Sequence, residues 1–191
     1  MLFQQVSRPV LSMSERAHKA KILIALLTLG LAGIAGGQTV LRPDVPNMIQ
    51  APAGESVILR AHASGSQIYV CRVIDSKPSW TLKAPEAELH DDAGAVIGSH
   101  FAGPTWKHKD GSEVTGKTVA HTDSPDPDSI PWLLVAAKGH SGDGTMSGVT
   151  SIQRIHTKGG QAPAAECTIA KEGVEAKSAY TADYYFYAPT K

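Results

Sequence analysis

Residues 67–73 read QIYVCRV, a run in which consecutive side chains would point to opposite faces of an extended strand. Ile68 and Val70 would lie on one face, and Tyr69 and Cys71 on the other. Alternation of this kind, carried by β-branched and aromatic side chains, is typical of a strand in a sheet. The run therefore predicts that a strand-forming segment with a cysteine at its centre lies early in the folded domain.

Segments of similar character recur along the chain, and turn residues separate them about every 8 to 12 positions. These segments are 56–62, 79–83, 95–97, 117–122, 130–137, 146–156 and 179–187. No long stretch shows the 3.6-residue period of an amphipathic helix. The pattern predicts an all-β domain, an antiparallel β-sandwich of jelly-roll-like or barrel-like form with long loops.

The composition argues against a disordered chain and against a nucleic-acid-binding protein. Hydrophobic residues make up 42% of the 191 residues and charged residues 19%, which is enough apolar material for a core and argues against global disorder. The 18 basic and 18 acidic residues balance, and no cluster of Lys and Arg is present. Nucleic-acid binding depends on such clusters to displace counterions, so we expect no nucleic-acid partner.

The first 37 residues have the three parts of a secretory signal. A basic stretch up to Lys21 precedes the apolar run 22–35, and the small residues Gly36 and Gly37 follow. The apolar run is shorter than the ~20 residues of a spanning helix, which disfavours the alternative of a permanent anchor. We predict a cleaved signal at 1–37, an extended segment at 38–54, a single β-sandwich domain at 55–191, no membrane span after processing, and an extracellular or periplasmic location.

Cys71 and Cys167 are the two cysteines of the chain, and both lie in the predicted exported part. In an oxidising compartment such a pair tends to form a disulfide. The alternatives are a redox pair or a metal site, but no Cys-x-x-Cys is present and two thiolates alone make a poor zinc site. The sequence predicts a disulfide that ties an early strand to a late one.

Several motifs in order resemble those of the DUF3455 family across the predicted mature chain, from Val45 to Tyr187. They are QIYVC (67–71), GSHFAGPTW (98–106), DGS (110–112), IPWLL (130–134), VTSIQRI (149–155), TKGGQAP (157–163), Cys167 and YTADYYFY (180–187). The resemblance implies a secreted protein with a β-rich domain and supplies no catalytic residue. A dehydrogenase label carried by some relatives is not transferred, because Gly142-Asp143-Gly144 opens no strand–turn–helix unit.

The predicted loop 98–112 concentrates the residue types that bind ligands. It contains His100, Trp106, His108 and Asp110, which could converge at one mouth of the sandwich, and His156 could reach the same place. Imidazole and carboxylate groups can bind a divalent metal, and an indole face can stack on a sugar ring. The alternative is that Trp106 belongs to the core and that Asp110 begins an ordinary turn.

These residues lead to two functional hypotheses. The absence of a recognised catalytic motif, such as Gly-x-Ser-x-Gly, favours a secreted, non-catalytic binding or structural module for a small molecule or cell-wall glycan. The alternative is a secreted metal-dependent enzyme that uses a His/Asp loop site, with a possible divalent metal as its cofactor. An assembly subunit is a third hypothesis, since sheet edges can pair with other chains.

Overall fold

The computed structural model describes residues 40–190, so the predicted signal at 1–37 lies outside the described residues. Eight strands form the domain, together with two short 3-10 helices at Asn47–Ile49 and Ile169–Lys171. The strands are β1 (Glu55–Ile74), β2 (Lys77–His90), β3 (Val96–Phe101), β4 (Thr105–His108), β5 (Glu113–Thr122), β6 (Trp132–Ser141), β7 (Ser151–Gly159) and β8 (Glu175–Pro189). Residues 40–190 contain no helix with the length and apolar character to cross a membrane.

Each strand pairs in antiparallel fashion with its neighbours in the chain, and β1 pairs with β8, so the sheet closes on itself as a barrel. The predicted all-β, antiparallel class is confirmed. The β1–β2 hairpin turns through Asp75 and Ser76, whose φ angles of 49° and 60° give a turn that matches the twist of the two strands. The sequential order places β7, β8 and β1 side by side, which decides which distant residues can meet.

The interior of the barrel is filled by alternate residues of each strand, as the two-residue period requires. On β8 the inward residues are Tyr180, Ala182, Tyr184 and Phe186, and they pack with the inward residues of the other strands. Small residues accommodate these rings. A Cβ atom at Gly116 would lie 2.4 Å from Cγ1 of Val135 and 3.2 Å from the Trp106 ring, so glycine there leaves room for the indole.

A second apolar cluster forms between the segment that precedes β1 and strands β6 to β8. Val45 and Ile49 of this segment pack with Trp132, Ile155 and Tyr185. The backbone oxygen of Ile49 also accepts a hydrogen bond of 2.6 Å from Nε2 of Gln153. The segment therefore covers part of one face of the sheet and holds Trp132 next to β7.

The predicted disulfide is confirmed: Cys71 of β1 is bonded to Cys167, with 5.5 Å between their Cα atoms. The late strand expected at Cys167 is not present, because Cys167 lies in the connection that leads from β7 to β8. The backbone NH of Cys71 donates to the oxygen of Val174, and that of Gly173 donates to the oxygen of Cys71. The bridge thus fastens this connection to β1.

Candidate functional site

His100 and Trp106 lie side by side on β3 and β4, but inside the barrel. The two residues face each other in the β3–β4 register, and their rings stack with centroids 4.3 Å apart and planes at 9°. They are only 3% and 2% exposed, and Tyr184 contacts both rings edge-on. The structure therefore brings these two candidate residues together as part of the core, and the predicted loop 98–112 contains two short strands.

Burial lowers the pKa of His100 to about 3, although its hydrogen bond to the backbone oxygen of Thr105 opposes this effect. The ring is therefore neutral at neutral pH, and its Nδ1 donates to that oxygen over 2.8 Å. A neutral, buried imidazole that stacks on an indole packs as an aromatic side chain with one satisfied donor.

We expect acid to destabilise the domain through His100. An unfolded histidine has a pKa near 6.5, so below that pH the unfolded chain binds a proton that the folded state excludes until about pH 3. The folded state therefore keeps its full stability above about pH 6.5 and loses about 1 kcal/mol between about pH 6 and pH 5. Urea unfolding at several pH values measures this loss.

Two variants separate this effect from other titrations. In His100→Phe the decline of stability between about pH 6 and pH 5 should be smaller than in the parent protein. In His121→Ala, which removes an exposed imidazole of β5, the decline should be unchanged. Equal slopes in the parent and His100→Phe would show that His100 takes up its proton in the folded state.

His108 and Asp110 also lie together, in the turn between β4 and β5. Asp110 Oδ2 is 2.9 Å from Nδ1 of His108. The same carboxylate accepts hydrogen bonds from the backbone NH and hydroxyl of Ser112 and from the backbone NH and hydroxyl of Thr145. These bonds, led by the Ser112 hydroxyl, hold the pKa of Asp110 well below its usual range. Asp110 thus joins this turn to the loop after β6 and has little free acceptor capacity.

His156 lies apart from the other candidates, in a bulge of β7. Ile155 pairs with Asp183 and Lys158 pairs with Thr181, so three steps along β7 match two along β8. His156 occupies the extra position with a φ of 51°, a left-handed conformation that non-glycine residues rarely adopt. The other described non-glycine residues with positive φ are the two in the β1–β2 turn. Backbone strain of this kind is often found at functional sites.

Asp183 holds His156 and a second histidine, His62, at the same time. Its Oδ2 lies 2.8 Å from Nδ1 of His156, and its Oδ1 lies 2.6 Å from Nδ1 of His62. Because a carboxylate oxygen only accepts, each Nδ1 carries a proton and donates it. The three residues meet because β7, β8 and β1 are neighbours, with Asp183 directly opposite His62 in the register.

The cluster continues to the turn after β2. Asp92 Oδ1 lies 3.1 Å from Nε2 of His62 and 2.6 Å from the guanidinium of Arg60. The hydrogen bond from Arg60 lowers the pKa of Asp92. His62 therefore contacts a carboxylate through each ring nitrogen, and both contacts are hydrogen bonds only when it carries both ring protons. His156 has no hydrogen bond at Nε2 within residues 40–190, and its side chain is 52% exposed.

These residues line an open cavity of about 390 Å³, which we call the outer groove. The lining includes His62, Ser64, His90, Asp92, His156 and Asp183. A second open cavity of about 280 Å³ shares His156 with the outer groove and is also lined by Trp132. The edge of the His156 ring meets the Trp132 ring with 5.4 Å between centroids. His156 thus lines two depressions of the surface.

The histidines and acids of residues 40–190 include no group of three or more that is arranged to hold a metal ion. The metal-dependent use of His100, His108, Asp110 or His156 stays a prediction. In the outer groove, both Nδ1 atoms are directed to Asp183 and not to a shared point. The outer groove therefore offers a ligand two kinds of hydrogen-bonding group: the Nε2 atom of an imidazole, and carboxylate oxygens that accept hydrogen bonds.

Reasoning from the sequence singled out His156 but not His62, Asp92 or Asp183. The pairs that meet in this cluster are 27 to 121 positions apart in the chain, and they follow no local motif. The available signal was alternation: Asp183 lies between the core residues Ala182 and Tyr184, so a strand must direct it outward. The register that brings it to His62 is not visible in either segment alone.

A family model described as "Protein of unknown function (DUF3455)" matches residues 52–188. This match confirms the resemblance drawn from the motifs. No curated protein and no solved structure matches the chain.

Proposed function

The chain belongs to the DUF3455 family, and from its geometry we propose that it is an exported, non-catalytic module that binds a hydroxyl-rich ligand, such as a glycan, in the outer groove. The observation that carries the proposal is the Asp183 carboxylate, which holds the imidazoles of His62 and His156 in one open cavity. The strained backbone of His156 supports the same assignment.

Export is supported by the signal-like first 37 residues and by the Cys71–Cys167 disulfide. Disulfides persist in oxidising compartments such as the periplasm and the extracellular space. A protein in these places meets cell-wall and extracellular glycans, which makes a glycan a suitable class of ligand.

The chemistry of the groove suits neighbouring hydroxyl groups. A sugar hydroxyl both donates and accepts, so it can donate to a carboxylate oxygen of Asp92 while an adjacent hydroxyl bonds to Nε2 of His156. The cavity beside Trp132 extends the surface past His156, which would accommodate more than one sugar ring. Open cavities that share a lining residue fit a chain-like ligand better than an isolated small molecule.

The binding test uses the disulfide-bonded protein on an oligosaccharide array, followed by calorimetry with the hexasaccharide that binds most strongly. His156→Ala and Asp183→Asn are expected to weaken binding about tenfold or more, because each removes a hydrogen bond or the group that orients it. His121→Ala removes an exposed imidazole from β5 and is the matched control, with unchanged affinity.

Two results would contradict the proposal. One is an array on which no oligosaccharide binds above the level of the heat-unfolded protein. The other is a bound hexasaccharide whose affinity is the same for the parent protein, His156→Ala and Asp183→Asn, which would place binding elsewhere on the domain.

A further inference from the structure

The interior of the barrel contains a group of buried hydrogen-bond donors that have no partner. Nε2 of Gln67, Nε of Arg154 and the hydroxyls of Tyr180 and Tyr184 are all inaccessible and make no hydrogen bond within residues 40–190. The side chains of Gln67, Tyr180 and Tyr184 are 1%, 3% and 1% exposed. Buried polar groups are normally satisfied, so such a group calls for an explanation.

The four residues are neighbours inside the barrel. Arg154 of β7 is directly opposite Tyr184 of β8, and Tyr180 lies four residues away on the same face of β8, with Ala182 between them. A Cβ atom at Gly160 would lie 2.8 Å from Cβ of Tyr180 and 3.3 Å from Cγ of Gln67. The absence of a side chain at position 160 therefore leaves Tyr180 and Gln67 close together.

The charge at this place is positive and unbalanced. Arg154 donates from Nη2 to the backbone oxygen of Pro131 over 2.8 Å, and no carboxylate of residues 40–190 lies within ion-pair distance of it. Burial raises the pKa of Tyr180 and Tyr184, so both remain neutral hydroxyls that can donate.

We propose that this cluster, which we call the inner donor site, binds a small oxyanion such as a carboxylate or phosphate ion. An amide NH₂, a guanidinium NH and two hydroxyls can all donate to the same acceptor. A guanidinium pairs strongly with the oxygen atoms of carboxylates and phosphates. An eight-stranded barrel is wide enough to be filled by side chains or to hold one small ligand.

An ion would reach the inner donor site from the surface beside Pro131. An open cavity of about 550 Å³ at that surface is lined by Tyr69, Ile130, Pro131 and Gln161, and also by the acidic residues Asp123 and Asp126. Pro131 is the residue whose backbone oxygen Arg154 contacts, and the Tyr69 hydroxyl donates to the backbone oxygen of Gly160 over 2.8 Å. The cavity is thus lined by residues that hydrogen-bond to Arg154 and to Gly160, and it shares no lining residue with the outer groove.

The test measures thermal unfolding of the protein while sodium acetate or inorganic phosphate replaces sodium chloride at constant ionic strength and pH. A ligand that binds the folded state raises the unfolding temperature with concentration. We expect acetate, phosphate or both to do so, with an apparent affinity reduced about tenfold or more in Tyr184→Phe and Arg154→Met. A response to acetate alone identifies a carboxylate site, and a response to phosphate alone identifies a phosphate site.

Two controls keep the test decisive. His156→Ala, in the outer groove, should respond to the anion as the parent protein does, so a failure of glycan binding leaves this result unaffected. Tyr184→Phe removes only the hydroxyl and keeps the aromatic ring, so it provides the test even if Arg154→Met does not fold. An unfolding temperature that is the same in acetate, phosphate and chloride, or that rises equally in the parent protein and Tyr184→Phe, would overturn the proposal and leave water as the partner of these donors.

Discussion

Replacing Cys71 and Cys167 together by alanine is expected to lower the free energy of unfolding by about 4 kcal/mol. The disulfide closes a loop with a sequence separation of 96 residues. In the chain-entropy account a cross-link of this length restricts the unfolded chain by about 4 to 5 kcal/mol, and measured gains are often smaller. Urea unfolding of the parent protein and the double variant, monitored by tryptophan fluorescence, gives the difference.

The reductant provides the control for this prediction. The parent protein, unfolded and refolded in dithiothreitol, should fall to the stability of the double variant, whereas the double variant should not respond to dithiothreitol. Cys71 is fully buried, so the parent protein is unfolded first to expose the bridge to the reductant. A double variant within about 1 kcal/mol of the oxidised parent would contradict the role assigned to this cross-link.

Trp106→Ala is expected to cost about 3 to 5 kcal/mol, the usual range for removal of a large buried aromatic side chain. The indole is 2% exposed and contacts the rings of His100, Tyr184 and Phe186. Its removal leaves a cavity in the interior of a closed sheet, where the surrounding strands cannot collapse freely. Urea unfolding measures this cost, and affinity for the hexasaccharide should remain unchanged at temperatures where the variant is folded.

Trp80→Ala is the matched control. Trp80 lies on β2, is partly exposed and donates from its indole NH to the backbone oxygen of Ala165 over 2.7 Å. Its replacement should cost clearly less than that of Trp106, because less apolar surface returns to water. Equal costs, or a selective loss of glycan affinity in Trp106→Ala, would contradict the assignment of Trp106 to the core.

Most of the strands could be predicted from alternation, since runs such as 67–73 and 179–187 carry apolar residues at every second position. The strand β4 could not, and the predicted segment 95–97 covers only the start of β3. Their stretch, 98–112, contains three glycines and a proline, and its two strands are six and four residues long. The strands β3 and β4 are stabilised by pairing with β2 and β5. Such tertiary contacts cannot be recognised from the local sequence.

The positions of the candidate residues depended even more on pairing. His100 and Trp106 are directed inward because they face each other on β3 and β4, whereas a loop would have left them exposed. His156 is directed to Asp183 because β7 carries one extra residue at that point. A bulge changes the face of the sheet on which a side chain lies, and the spacing of residues in the sequence does not predict where a bulge occurs.

The account of function depends on Asp183 holding His62 and His156 in one groove that binds a glycan. The most direct measurement is an NMR titration of protein with ¹⁵N-labelled histidine, using the hexasaccharide selected on the array. We predict that the ring signals of His62 and His156 shift together and saturably, whereas those of the buried His100 and of His121, which lines neither cavity, do not. Shifts confined to other histidines, with His62 and His156 unchanged at saturation, would contradict it.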